Sequence, residues 1–192
     1  MQDNHQEPII VPSEEQVESE LNRIRYRKKF FRTLLNTVAV LIVVAAAAVL
    51  VSTIFMPVIQ VSGDSMSPTL NDGDILVTFN TDHIEYGDLC CVSWQNKMLL
   101  KRVIGLPGDT VSIREDGSVY VNGTLLDEPY VIEKSIGDCE ISFPYAVPDN
   151  QIFILGDNRI RSVDSRNKDI GSITKEQIIG KVLFRIWPLG SS

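Results

Sequence analysis

From Thr33 to Gly63 the chain carries no charged residue, and Thr37 to Met56 (TVAVLIVVAAAAVLVSTIFM) is apolar apart from Thr37, Ser52 and Thr53. Coiled into a helix at about 1.5 Å per residue, that run spans roughly 30 Å, the thickness of a bilayer's hydrocarbon. A core helix of a soluble domain would carry a polar face over such a length, and this one has none. A cleaved leader fits no better. About thirty residues precede the run, and its apolar part exceeds the roughly 7 to 15 residues of a leader's apolar region. Residues 33–57 are therefore expected to be a permanent membrane anchor ending near Pro57.

The charges around this run set its orientation. Arg23, Arg25, Arg27, Lys28, Lys29 and Arg32 lie just before it, and only acidic or neutral residues follow closely after it. The positive-inside rule then places residues 1–32 in the cytoplasm, as a solvated tail with a basic cluster that runs into a short juxtamembrane helix, and residues 58–192 outside. Past residue 56 there are 12 basic against 19 acidic residues, a balance that argues against a nucleic-acid partner. Cys90, Cys91 and Cys139 allow at most one disulfide, from Cys139 to one of the adjacent pair, with free thiols the alternative. With only His5 and His83 as imidazoles and no CxxC spacing, neither a metal nor another cofactor is expected.

After the anchor, short apolar runs alternate with turn signals, the pattern of strands. The runs are 60–61, 75–79, 90–94, 98–104, 110–114, 118–121, 152–155 and 182–186. Glu115-Asp116-Gly117 and Asn122-Gly123 read as tight turns between them. Thr174 with Gln177 three residues on is a capping box that predicts a short helix over 175–179. The closing FRIWPLG either lies back near the lipid or packs Trp187 into the core. Together these elements predict a mostly β fold, a compact antiparallel barrel or pair of packed sheets behind one transmembrane helix.

Three stretches hold more polar residues than strands or turns require: GDSMSPTL (63–70), KRVIGLPGD (101–109) and GDNRIRSVDSR (156–166). Each alone has an ordinary reading as a turn or a surface loop. Lys101 resists that reading. Leu99, Lys101 and Val103 share one face of a predicted strand and Leu100, Arg102 and Ile104 the other, so both faces are otherwise apolar and the strand is buried on two sides. Burial disfavours the ammonium and lowers the lysine pKa from about 10.4 toward neutrality, which makes the amine a general base able to take a proton from a serine hydroxyl. His83, beside Asp82 in a polar loop, reads as a surface residue instead.

Ser65-Met66 followed by Pro68-Thr69-Leu70, then Lys101-Arg102 with Gly105, Pro107, Gly108 and Asp109, then Gly156-Asp157-Asn158-Arg159 with Ser162, Asp164, Ser165 and Arg166, resembles bacterial type I signal peptidase. The three boxes stand in the family's order behind an anchor of the expected orientation, and the short 110–150 stretch matches the compact Gram-positive style. The resemblance implies that Ser65 is the nucleophile and Lys101 the general base, and that Ser162 orients the lysine amine. It further implies that Asp164, Arg102 and Arg166 form an ion-pair cluster tying the last box to the lysine strand. Its implied substrates are the signal peptides of secretory preproteins, cut after small residues at the first and third positions before the cut, beside the bilayer and in the vicinity of the secretion translocon.

Val61, Leu70, Leu99 and Leu100 flank the catalytic residues and are expected to wall the shallow substrate pockets. Two positions depart from the resemblance. Gly63 stands where some members carry a serine that helps hold the oxyanion, which leaves the oxyanion to backbone N–H groups, that of Ser65 first. Ile160 stands where an aspartate is common. Two other classes of protein compete with this reading. A tethered β domain that binds extended peptides without cutting them would need neither Ser65 nor Lys101. A self-cleaving regulator would carry a DNA-binding segment where this chain has its anchor.

Overall fold

The computed structural model describes residues 13–81 and 83–188. The apolar run lies on one helix, α1 (Glu14–Phe55), which has no buried residue and a mean hydropathy of 2.9 over its most apolar 18-residue window. The expected juxtamembrane helix is not a separate element. The basic cluster continues the same helix without a break, because nothing between residues 14 and 55 is a proline or glycine that would interrupt it.

Residues 52–192 form a second compact unit, built on eleven strands among the described residues. In chain order they are β1 (Val58–Gln60), β2 (Ile75–Phe79), β3 (Leu89–Trp94), β4 (Lys97–Gly105), β5 (Thr110–Ile113), β6 (Val119–Val121), β7 (Thr124–Leu125), β8 (Tyr145–Ala146), β9 (Gln151–Leu155), β10 (Ile173–Thr174) and β11 (Ile178–Trp187). A seven-stranded sheet runs β1-β2-β11-β3-β4-β9-β10 and a four-stranded sheet β7-β6-β5-β8, with every pairing antiparallel. The mostly β expectation therefore holds. Asn122 and Gly123, both at positive φ, turn β6 into β7, the backbone that an Asn-Gly pair tolerates best.

Three two-residue or short edge elements, β7, β8 and β10, carry too few residues to show a period and were not among the expected strands. The helix expected over 175–179 is one 3-10 turn, Lys175–Gln177, although Gln177 Oε1 does accept the Thr174 N–H at 2.9 Å. Ile178 and Ile179 belong to β11, which uses their β-branched side chains in the sheet. Trp187 is 58% exposed and so does not pack into the core. The three cysteines are free thiols, with Cys90 and Cys91 buried in β3.

Three apolar clusters fill the domain. One joins Cys90, Val92, Val103, Ile152 and Ile154. A second joins Ile104, Val111, Ile113, Val119 and Phe153. The smallest, Val61, Met66, Leu70 and Leu76, lies under the turn that carries Ser65 and fixes where that serine can sit.

Candidate active site

Ser65 sits on a turn that two strands and a buried methionine hold in place. The Val61 N–H donates to the Asp74 carbonyl at 2.8 Å and the Gly73 N–H returns to the Val61 carbonyl at 3.0 Å. Met66, next to the serine, is 1% exposed, so the residue after the nucleophile candidate is anchored in apolar packing. Gly63 adopts φ +87, a backbone that favours glycine, and its N–H donates to Asp72 Oδ1 at 2.7 Å.

Lys101 comes from the middle of β4, opposite Cys90 of β3, and is 3% exposed. Its Nζ lies 2.8 Å from Ser65 Oγ and donates to the Leu100 carbonyl at 3.0 Å. Burial lowers its pKa from 10.5 to about 8. Asp164 and Asp157 pull the other way, and Arg166 adds to the lowering. Roughly one amine in ten is then neutral at pH 7, against about one in three thousand for an unperturbed lysine. An alcohol and a partly neutral amine in hydrogen-bond contact, with no histidine beside them, can generate an alkoxide-like nucleophile without further groups.

The third box folds over this pair. The Asn158 N–H donates to the Ser65 carbonyl at 3.1 Å, and Gly156 packs directly on Ser162 and on that same carbonyl. The Ser162 hydroxyl is buried but has no hydrogen-bond partner, so the expected bond to the lysine amine is not formed; Lys101 gives its second bond to Leu100 instead.

The expected single ion-pair cluster is two separate pairs. Asp164 takes Arg166, Nε to Oδ1 at 2.8 Å, both side chains at most 1% exposed, and also accepts the Gly156 N–H at 3.0 Å. Arg102 pairs instead with Asp157, through Nε at 2.8 Å and Nη2 at 2.6 Å, because it leaves β4 on the face opposite Lys101. Asp157 also accepts from Thr69 Oγ1 at 2.5 Å, so this one carboxylate ties all three boxes together. Tyr130 stacks on the Arg102 guanidinium at 3.9 Å, and Arg159 makes its own buried pair with Glu128.

Breaking a buried pair leaves its other member uncompensated, at a cost of about 3 to 5 kcal/mol. Asp164→Asn is accordingly expected to destabilise the domain by an amount in that range. Asp64→Asn, at an exposed pair with Arg161, should cost about 1 kcal/mol or less. Chemical denaturation of the two variants measures the contrast, and equal midpoints would place Asp164 on a solvated surface.

A cleft of about 500 Å3 opens beside the two catalytic candidates. Val61, Leu99 and Leu100 line it, together with Ile59, Met66, Cys91 and Met98. Leu70 and Gly63 do not. Leu70 is 5% exposed and belongs to the cluster beneath the turn, since the turn rolls it inward with Met66. Asp157, named only as part of the third box, and Cys91, named only among the thiols, had no expected role at the site. Asp157 is buried and sits in the third box, and an acid flanked by glycine and asparagine reads equally as a turn. His83 is exposed and faces Glu85; Asp82 lies outside the described residues.

Comparison with known proteins gives one consistent result. The family described as signal peptidase, peptidase S26, matches residues 34–187. Signal peptidase I S of Bacillus subtilis (strain 168) is 38% identical over 162 residues, covering 78% of this chain and 86% of its own length. Signal peptidase IB of Staphylococcus aureus (strain COL) is 38% identical over 148 residues, covering 67% of this chain and 76% of its own. The crystal structure of a signal peptidase I from Enterococcus faecalis V583 aligns with a TM-score of 0.44 at 30% identity, over 53% of this chain and 97% of that one. With an N-terminal hydrophobic helix, a β-rich domain and a serine beside a buried lysine, the chain belongs to the S26 family as a bacterial signal peptidase I, a serine peptidase that cleaves signal peptides.

Proposed function

We propose that Ser65 is the nucleophile and Lys101 the general base, and that the enzyme cuts preproteins at the outer membrane surface after small residues at the first and third positions before the cut. The observation that carries this reading is the 2.8 Å contact between Lys101 Nζ and Ser65 Oγ, made by an amine whose pKa burial has lowered to about 8. Neutral Lys101 takes the Ser65 proton as Oγ adds to the scissile carbonyl, and the carbonyl oxygen becomes an oxyanion. The Ser65 N–H, which donates to no protein acceptor among the described residues, is assigned to donate to it. The ammonium of Lys101 then returns its proton to the leaving amine, which frees the mature chain and leaves the signal peptide as an ester on Ser65. A water, deprotonated by the same amine, hydrolyses that ester. The unpartnered Ser162 hydroxyl is assigned to orient the amine through this cycle.

Val61, Leu99 and Leu100, which line the cleft, are assigned to wall the pockets that admit alanine and exclude a bulky residue. Incubating the detergent-solubilised protein with a preprotein and sequencing the new N-terminus tests the whole reading. Cutting is expected after Ala-x-Ala and not after Ala-x-Phe; a new N-terminus following phenylalanine would defeat it.

The pH profile follows from the lysine. Because the base must be neutral, kcat/KM is expected to rise tenfold per pH unit below about 8 and to level above it. A flat profile from pH 6 to 10 would remove Lys101 from the role of base.

The basic cluster before the apolar helix supports a cytoplasmic N-terminus and an extracytoplasmic domain. Phe184 and Trp187, both more than half exposed on β11, support a domain whose closing strand lies against the lipid interface. Protease added to intact protoplasts is expected to digest the β domain and spare the basic segment. A protected β domain would reverse the orientation.

A further inference from the structure

In the proposed function the cleft beside Ser65 takes the part of a substrate that precedes the cut, and the polypeptide must continue past the serine. On the other side of the Ser65 turn lies a second groove. It runs between Pro68 and Asn71 of that turn and Asn158 and Ile160 of the third box, and Ile132 and Glu133 close its far side. It adjoins the serine's own turn, since Ser67 and Pro68 line it and its Asn158 donates a backbone N–H to the Ser65 carbonyl.

Two features set it apart from ordinary surface. Ile132 is 81% exposed and Ile160 51% exposed, two isoleucines from segments distant in sequence facing one groove, where neither contributes to the core. Glu133 is exposed and makes no ion pair among the described residues, while the groove's other carboxylate, Asp157, is consumed by Arg102. The groove therefore presents apolar contact area, backbone-like amide groups and one unspent negative charge.

We propose that this groove holds the first few residues of the mature protein, those that follow the cut, and that Glu133 gives it a preference for basic over acidic side chains there. This rests on the assignment of Ser65 as the nucleophile. The groove is assigned to residues two to four after the cut, in an extended strand at about 3.3 Å per residue, while the residues before the cut occupy the cleft at Val61 and Leu99. Ile160 supplies contact area, and Glu133 an attraction that acts through partly exposed space and weakens with salt.

The test uses the full chain in detergent and two synthetic preprotein peptides. They share one signal segment and cut site and differ in carrying lysines or glutamates at the second to fourth residues after the cut. For the wild type, kcat/KM for the lysine peptide is expected to exceed that for the glutamate peptide by roughly three- to tenfold at low ionic strength. Glu133→Lys should invert the ratio, and Ile160→Glu should widen it. Opposite shifts from two exposed positions are not something damage to the fold produces. A ratio left unchanged by both substitutions while cutting persists overturns the groove and leaves the serine-lysine reading standing. A wild-type protein that cuts neither peptide overturns both.

Discussion

Ser65→Ala and Lys101→Ala, made singly in the full chain, are each expected to lower kcat/KM for a preprotein by at least about a thousandfold, and the double variant to be no worse than either. In the proposed mechanism the serine supplies the atom that attacks and the lysine the means of removing its proton, so neither works without the other. Lys101→Arg should fall as far, because a guanidinium stays protonated and cannot accept. None of these losses should come from unfolding. The lysine is 3% exposed and its pKa is lowered to about 8, so holding it charged at pH 7 costs stability that an apolar side chain of similar length does not. Between pH 8 and 10.5 the unfolded chain binds more protons at this residue than the folded one, and wild-type stability should therefore rise with pH across that window. In Lys101→Met that rise should be missing, and at pH 7 the variant should be at least as stable as the wild type. Chemical denaturation at pH 7 and at pH 10 reads both statements. Substantial cutting by any folded single variant would end the serine-lysine assignment.

Lys101 was legible in the sequence because its chemistry contradicts its surroundings, whereas Ser65 was reached only through the family's boxes. Lys101 stands in an apolar strand, and period-two alternation is enough to show that both faces there are buried. The apolar run of α1 was legible for a similar reason, a length and composition consistent with a membrane anchor. What failed was partner assignment. Arg102, Asp157, Asp164 and Arg166 were visible as a set of charges, but which arginine meets which carboxylate depends on the face from which each leaves its strand or turn. One residue decides it: Arg102 points away from Lys101 toward Asp157, and no pattern in the third box distinguishes Asp157 from Asp164. Leu70 failed likewise, since a turn has no period and its inward roll is set by Met66 and Leu76. The strands β7, β8 and β10 exist because longer neighbours pair with them, and propensity alone carries no trace of that.

Gly156→Ala is expected to cost roughly a hundredfold in kcat/KM and about 1 to 3 kcal/mol in stability, a large effect for one methyl group. A Cβ on Gly156 would overlap Ser162 Oγ and meet Ser162 Cβ at 2.5 Å and the Ser65 carbonyl oxygen at 2.6 Å. The hydroxyl can rotate away, but the other two atoms cannot move without moving backbone. The third box and the Ser65 turn must then separate, which stretches the 3.1 Å bond from the Asn158 N–H to the Ser65 carbonyl and shifts Oγ relative to Lys101. A displacement near 1 Å in a nucleophile is enough for a hundredfold loss. Because Val61, Leu99 and Leu100, which line the cleft, are not among the nearest atoms the new methyl meets, the cleft should survive, and the loss should fall on kcat more than on KM. Adding Ser162→Gly to Gly156→Ala removes two of the three contacts and should recover part of the stability. Activity should stay low, because the contact with the Ser65 carbonyl remains. Denaturation midpoints and steady-state kinetics of the single and double variants separate these effects. A Gly156→Ala enzyme with wild-type kcat would show that the third box does not set the position of Ser65.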